Sequence, residues 1–148
     1  MPDPLHPATV HLPLALSLLM PLAAGAAMVA VMRCAALRPV WWVVIVLQTL
    51  LCVSTLVAIE TGEQEKSVVA AFVPADALAR HEDRAESFHQ SVWVCLAIAG
   101  LGLFPGRPGR LAMIATILAS SVAFGLAWRT GEAGAELVYV HGAANAYK

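Results

Sequence analysis

Charged residues are scarce in this sequence. Asp, Glu, Lys and Arg make up only 13% of its 148 residues, whereas hydrophobic residues make up 59%. A soluble domain is usually about a quarter charged and about half apolar. With a formal net charge of −1, the chain also offers no basic surface for nucleic acid. The composition therefore indicates an integral membrane protein and argues against a nucleic-acid partner.

Motifs for catalysis are missing as well. The three cysteines, Cys34, Cys52 and Cys95, share no C-x-x-C spacing, and the last two lie in predicted membrane spans, where a thiol behaves as a small hydrophobic group. The histidines have neither the H-x-x-x-H nor the H-E-x-x-H spacing of a zinc site. No nucleophile or phosphate-binding loop stands out, so the sequence predicts neither a hydrolase nor a transferase and leaves open whether the protein is an enzyme.

Long apolar runs dominate the sequence. Residues 12–32 form a stretch of 21 residues without charge, and at about 1.5 Å per helical residue it crosses a hydrocarbon layer of about 30 Å. Three further runs follow, at residues 40–59, 91–104 and 111–128. The shortest, 91–104, reaches spanning length only if 88–90 enter the membrane edge. We therefore predict four spanning helices in one domain, 1–148. Because no Lys or Arg precedes Arg33, the first run lacks the positive region of a cleavable signal peptide and is expected to remain.

The polar residues sort onto two faces of such a chain. One face consists of the N-terminus, residues 60–88 and the C-terminal tail. It carries every acid and every histidine: Asp3, Glu60, Glu63, Glu65, Asp76, Glu82, Asp83, Glu86, Glu132 and Glu136, with His6, His11, His81, His89 and His141. The other face consists of two short turns with Arg33, Arg38, Arg107 and Arg110. Because arginine-rich short loops stay cytoplasmic, we predict a multi-pass protein of the bacterial inner membrane with both termini extracytoplasmic.

The chain also contains an apparent internal repeat. "IETGEQE" closes the second span and "WRTGEAG" closes the fourth, while "VHLPLAL" opens the first and "FHQSVWV" opens the third. These matches predict an all-α four-helix bundle made of two tandem helical hairpins, about 6–65 and about 81–142, related by a pseudo-two-fold axis along the membrane normal. His11 and His89 would then be symmetry mates, as would Gly62 and Gly131. An alternative is that both glycines merely end helices.

The opening "HPATVHLPLAL" and the tail "GEAGAELVYVHGAANAY" resemble the bacterial family of small four-helix membrane proteins known as DUF2231, whose function is not defined. Ala135 stands where the family has a glycine, and this departure is expected to affect a turn in the tail. Relatives of this kind are similar to domains joined to Rieske iron-sulfur or c-type cytochrome modules. The resemblance therefore implies membrane redox chemistry, with an extracytoplasmic partner of the Rieske or cytochrome c type. We expect such a protein to exchange electrons with a quinone or a partner domain.

The histidines suggest a cofactor for that chemistry. A b-type haem with two axial imidazoles needs one histidine from each of two helices, and His11 and His89 occupy equivalent places on the first and third spans. We therefore predict a membrane-embedded haem b electron-transfer protein, with Arg84 or Arg129 as partners of the propionates. His141 in the tail is a further candidate ligand.

Two alternatives remain open. Glu86 and His89 form a Glu-x-x-His step, as in di-iron bundles, and His6, His11, His81 and His141 could bind zinc, copper or iron. The protein could instead be a structural subunit whose acidic face docks a redox partner. Against a ligand role, His6 could be a helix cap, and His81 lies on a charged helical extension that is expected to be solvated. Residues 67–79 are predicted to lie in the membrane interface, with Pro74 starting the long third helix.

Overall fold

The computed structural model describes residues 5–147, and all the regular structure in that range is helical. Its five α-helices are α1 Leu5–Thr9, α2 His11–Arg33, α3 Trp41–Val69, α4 Ala75–Leu101 and α5 Gly106–Tyr139, with 3₁₀ turns at Ala35–Val40 and Ala143–Tyr147. The predicted all-α class is confirmed, with four long helices. Asp3 and Lys148 lie outside the described residues.

The four long helices pack in a closed ring. Each of α2, α3, α4 and α5 contacts the helix before it and the helix after it, and α5 returns to contact α2. Within residues 5–147 the diagonal pairs, α2 with α4 and α3 with α5, make no direct helix–helix contact. Any group held by both α2 and α4 would therefore have to lie across the centre of the ring.

Small side chains fill much of the interior. The buried alanines include Ala24, Ala27, Ala99, Ala123 and Ala127, and such residues allow helix backbones to approach closely. One large side chain, Trp41, lies fully buried at the start of α3. Its indole Nε1 donates a hydrogen bond to the carbonyl oxygen of Ala99 at 2.9 Å, which ties α3 to the end of α4.

The two short turns at the arginine-rich end contact each other. Arg38 lies in the first turn, and its Nη2 donates to the carbonyl oxygens of Gly102, at 3.1 Å, and Phe104. The second turn depends on Gly106, whose φ of +80° lies in the left-handed region that favours glycine. The guanidinium of Arg38 thus closes this end of the helical ring.

Three of the helical segments are long and apolar enough to cross a membrane: Leu5–Arg33, Ala35–Val69 and Gly106–Tyr139. Only 33%, 39% and 33% of their apolar stretches are buried within the protein, so most of this apolar surface faces outward. Helix α4 is not among these three segments, because its first half is charged. The protein therefore has the helices of a membrane protein, and the fourth span stays a prediction.

Several predicted boundaries require correction. Helix α3 continues past Gly62, and helix α5 continues past Gly131, so the interpretation of these glycines as helix ends is wrong. Ala135 lies inside α5 rather than in a turn, and the positive φ falls on Gly142, at +73°. Pro74 does precede the long helix α4, as predicted. The segment before it is the end of α3 and a short turn.

The contact between Trp41 and α4 leads to a stability prediction. A Cβ at Gly102 would overlap the indole of Trp41 and lie 2.9 Å from the carbonyl oxygen of Ala99. Because a buried ring and a backbone atom cannot easily move aside, we expect Gly102→Ala to destabilise the protein by about 1–3 kcal/mol. Thermal unfolding in detergent, followed by circular dichroism, measures this loss.

Gly100→Ala is the matched control, since a Cβ there has nothing within 4 Å. It should leave the melting temperature unchanged or raise it, because alanine favours the helix. Equal melting temperatures for the two variants would contradict the packing described here.

Candidate functional site: a histidine pair at the acidic end

Two imidazoles from distant parts of the sequence meet at the end of the helical ring opposite the arginine-rich turns, which we call the acidic end. His6 lies on α1 and His81 lies in the first half of α4. Their ring centroids are 6.1 Å apart, and the ring planes form an angle of 79°. We refer to His6 and His81 as the histidine pair. Both side chains are partly buried, so each ring is held in place by its surroundings.

His6 is positioned by helix α3. Its Nδ1 lies 2.9 Å from the carbonyl oxygen of Ala58, and the ring lies over Gly62, where a Cβ would be 3.2 Å from Cε1 and from Nδ1. A carbonyl oxygen can only accept, so Nδ1 carries the proton and donates it. In the neutral imidazole the other nitrogen, Nε2, then keeps a free lone pair.

His81 is positioned in the same way by helix α5. Its Nδ1 lies 3.2 Å from the carbonyl oxygen of Thr130, and its ring lies over Gly134, where a Cβ would be 3.1 Å from Cε1. Burial lowers the pKa of His81 below its ordinary value of 6.5, and the nearby His6 lowers it further. The lowered pKa favours the neutral imidazole of His81, whose Nε2 can act as a ligand.

The two arrangements match residue by residue. In each, the residue whose carbonyl oxygen accepts from Nδ1 comes four residues before the glycine over which the ring lies. Ala58 precedes Gly62 in this way, and Thr130 precedes Gly134. The Thr-Gly-Glu motifs instead align Gly62 with Gly131, but a Cβ at Gly131 would have nothing within 4 Å. The tandem-hairpin repeat stays a prediction, and the contacts favour a register in which Gly134 is the partner of Gly62.

Glu65 connects the N-terminal and C-terminal segments near the histidine pair. Its Oε1 accepts the backbone N–H of His6 at 2.9 Å, and its Oε2 accepts the hydroxyl proton of Tyr147. Partial burial, together with the Glu65 carboxylate, raises the pKa of Tyr147 to about 12. The tail therefore folds back onto α3, and one carboxylate binds both the backbone of His6 and the hydroxyl of Tyr147.

The structure does not bring His11 and His89 together. His11 is exposed, and its Nδ1 lies 3.4 Å from the carbonyl oxygen of Ala8. Both ring nitrogens of His89 are engaged: Nδ1 lies 2.9 Å from the Thr55 hydroxyl, and Nε2 accepts the indole N–H of Trp93 at 3.1 Å. Within residues 5–147, neither a hydrogen bond nor a ring contact joins the two histidines.

The other predicted ligands are also dispersed. Nε2 of His141 lies 3.5 Å from a carboxylate oxygen of Glu136. Glu86 is exposed and accepts a hydrogen bond from Gln90 at 3.0 Å, while Arg84 donates to the carbonyl oxygen of Arg129 at 3.0 Å. Across residues 5–147, no group of three or more His, Cys, Asp or Glu side chains comes together. From the sequence, His6 was interpreted as a helix cap and His81 as a solvated side chain, whereas the structure brings their rings together.

The role of the two glycines leads to a second prediction. In Gly62→Ala and Gly134→Ala, the new methyl group would push the imidazole away by a few tenths of an ångström, so the ring contact between His6 and His81 should weaken. Solid-state NMR of ¹⁵N,¹³C-histidine-labelled protein in bilayers should show a reduced His6–His81 cross-peak in both variants.

Gly131→Ala serves as the control because its Cβ would meet no other group. The cross-peak should match that of the unmodified protein. If all three variants keep the same cross-peak, the glycines do not position the rings.

The chain was compared with known proteins at the level of sequence and of structure. No protein-family model, no curated protein and no solved structure matches it. The resemblance to DUF2231 is therefore carried only by the residues quoted from the sequence.

Proposed function

We propose that the protein is a membrane-embedded metal-binding protein whose histidine pair holds one transition-metal ion at the extracytoplasmic face. The observation that carries this proposal is the shared hydrogen-bonding pattern of the two rings. Each Nδ1 donates to a main-chain carbonyl oxygen, which is the usual arrangement behind a metal-ligating Nε2. Both rings are therefore prepared in the tautomer that metal binding needs.

The spacing of the rings fits a single ion. Two imidazoles that bind one ion at about 2.0–2.1 Å have ring centroids roughly 5–6.5 Å apart, and the observed separation is 6.1 Å. Imidazole suits zinc, copper, iron and nickel. With two protein ligands, the remaining coordination positions are left for water or an exchangeable ligand, as in a site that reacts rather than one that only stabilises the fold.

Haem b is the second candidate, and the free Nε2 atoms of the same pair are the observation that favours it. Haem held by His11 and His89 has less support, because His11 is exposed and His89 uses both nitrogens within the protein.

Bound iron or copper would supply one-electron chemistry. A Rieske or cytochrome c type partner is what the resemblance implies, a quinone is the further proposed partner, and the acidic surface around the pair is where a protein partner would dock.

Metal analysis tests this proposal. Protein purified in detergent, stripped with a chelator and titrated with zinc or copper should bind one ion per chain. His6→Ala and His81→Ala should each weaken binding by at least about tenfold, since each removes one of two ligands. His11→Ala is the control and should bind as the unmodified protein does.

A visible spectrum after haem supplementation separates the two candidates. A low-spin b-type spectrum that is lost in His6→Ala or His81→Ala would establish haem instead of a bare ion. If neither zinc, copper, iron nor haem binds, the metal-binding proposal fails, and the third alternative, a structural subunit that docks a redox partner, takes its place.

The proposed orientation places all four spans in the bacterial inner membrane with both termini outside. In a Cys34→Ser background, Ala144→Cys in the tail should react with a membrane-impermeant maleimide added to intact spheroplasts, whereas Ala36→Cys in the first turn should not. Both positions are exposed, so reactivity reports the side of the membrane. The reverse labelling pattern would contradict this orientation.

A further inference from the structure

An apolar groove lies between the end of α4 and the beginning of α5, at the arginine-rich end of the helical ring. Its volume is about 390 Å³, within the range of about 300–1,000 Å³ that ligand pockets occupy. Leu101 and Phe104 line one side, and Leu111 and Ala115 line the other. The three larger of these side chains are more than half exposed, so the groove is on the outer surface of the ring, where a membrane protein meets lipid.

All seven side chains that line the groove are apolar. A polar ligand would lose its hydrogen bonds to water there without gaining new ones, whereas a hydrocarbon chain has none to lose. The groove therefore suits an acyl chain. Because apolar side chains do not distinguish one lipid from another, any selectivity has to come from the polar group at the end of the groove.

Arg107 lies at that end. Residues four apart on a helix share a face, so Arg107 begins the row that continues with Leu111 and Ala115 of the groove. Side chains on a helix lean toward its N-terminus, and Arg107 is exposed. Its guanidinium therefore extends past the groove to the depth of the lipid headgroups, where long basic side chains of membrane proteins reach water.

No carboxylate competes for this guanidinium. The segments 33–40 and 102–110 contain four arginines and no acid, and within residues 5–147 Arg107 forms no ion pair. The neighbouring Arg38 donates to the carbonyl oxygens of Gly102 and Phe104, so its positive charge also has no carboxylate partner. The groove is thus apolar along its length and positively charged at its end.

A second apolar groove provides a comparison within the same protein. It lies beside α3, has a volume of about 330 Å³ and is lined in part by Thr9. The Thr9 hydroxyl donates to the carbonyl oxygen of His6, whose backbone N–H binds the Glu65 carboxylate. This groove therefore ends among acids, which repel an anionic headgroup. The two grooves accept the same hydrocarbon and differ in the sign of the charge beside them.

We propose that the groove between α4 and α5 binds an acyl chain of an anionic phospholipid whose phosphate pairs with Arg107. A guanidinium and a phosphate form charge-assisted hydrogen bonds, often two in parallel, and basic pockets between membrane helices bind the headgroups of anionic lipids. The bound chain covers the exposed apolar side chains at the end of α4 and the beginning of α5. The site lies at the opposite end of the ring from the histidine pair and depends on no metal.

Native mass spectrometry of the full chain in detergent, with phosphatidylglycerol or phosphatidylcholine added, tests the proposal. The two lipids carry identical acyl chains, so a difference in binding reports the headgroup. The unmodified protein should bind phosphatidylglycerol at least about fivefold more tightly, and Arg107→Gln should abolish this preference, because one arginine beside an anionic lipid contributes about that factor. Glycerol phosphate at the same concentration should not displace the lipid; displacement would show that a free phosphate suffices and would overturn the proposal.

Arg110→Gln is the matched control. It removes the same charge from the same end of α5, but Arg110 begins the row of Ile114 and Leu118, which do not line the groove. This variant should keep the preference for phosphatidylglycerol. Equal binding of the two lipids by the unmodified protein would overturn the proposal, as would a preference that is lost equally in both arginine variants or survives in both.

Ala115→Phe tests the groove itself, because the larger side chain occupies the space of the acyl chain while Arg107 is retained. Binding of phosphatidylglycerol should fall to the level of Arg107→Gln or below. Leu118→Phe adds a ring at an exposed position outside the groove and should bind as the unmodified protein does. Thermal unfolding checks that both variants are folded. Unchanged binding in a folded Ala115→Phe variant would show that the groove holds no chain, which contradicts the proposal.

Discussion

A polar group buried among apolar side chains must find its hydrogen-bond partner within the protein, and this constraint shapes every notable feature of the structure. Four long helices satisfy their backbone groups internally, which an apolar surface facing outward requires. The few buried side chains that carry nitrogen or oxygen then bond mainly to helix carbonyl oxygens. The indole of Trp41 and the amide of Gln48 both do so, reaching Ala99 and Val92 on α4. These bonds between helices give the packing a specific register that apolar contacts alone would not set.

The same constraint explains why the histidine pair is ordered. His6 and His81 each bond to a main-chain carbonyl oxygen, and each ring lies so close to a glycine that a Cβ there would force the ring to shift. Imidazole orientation is therefore set mainly by backbone atoms, which are rigid. A ligand pair positioned in this way loses little conformational freedom when an ion binds. The proposed metal site depends on this preorganisation.

Several structural features were accessible from the sequence because they depend on local composition. The apolar runs predict the helices, and the clustering of Arg38 and its neighbours in short turns predicts the ends of the ring. Helix lengths were underestimated for α3 and α5, since the residues after Gly62 and Gly131 are polar and a helix can continue into water beyond an apolar stretch. The Thr-Gly-Glu motif pairs Gly62 with Gly131, whereas the glycine under the His81 ring is Gly134, three residues further on.

The sequence by itself determined that the chain is helical and apolar and that its acids and histidines gather at one end, because these properties follow from residue type and spacing along the chain. Only the tertiary structure decided which histidines meet. His11 and His89 have equivalent places in the sequence, yet His11 is exposed and both ring nitrogens of His89 already have partners. His6 and His81 looked like a cap and a solvated side chain, yet their rings meet. Such pairings depend on how each helix is rotated about its axis and on where a glycine on a neighbouring helix leaves room for a ring. Neither can be predicted from the sequence of one helix.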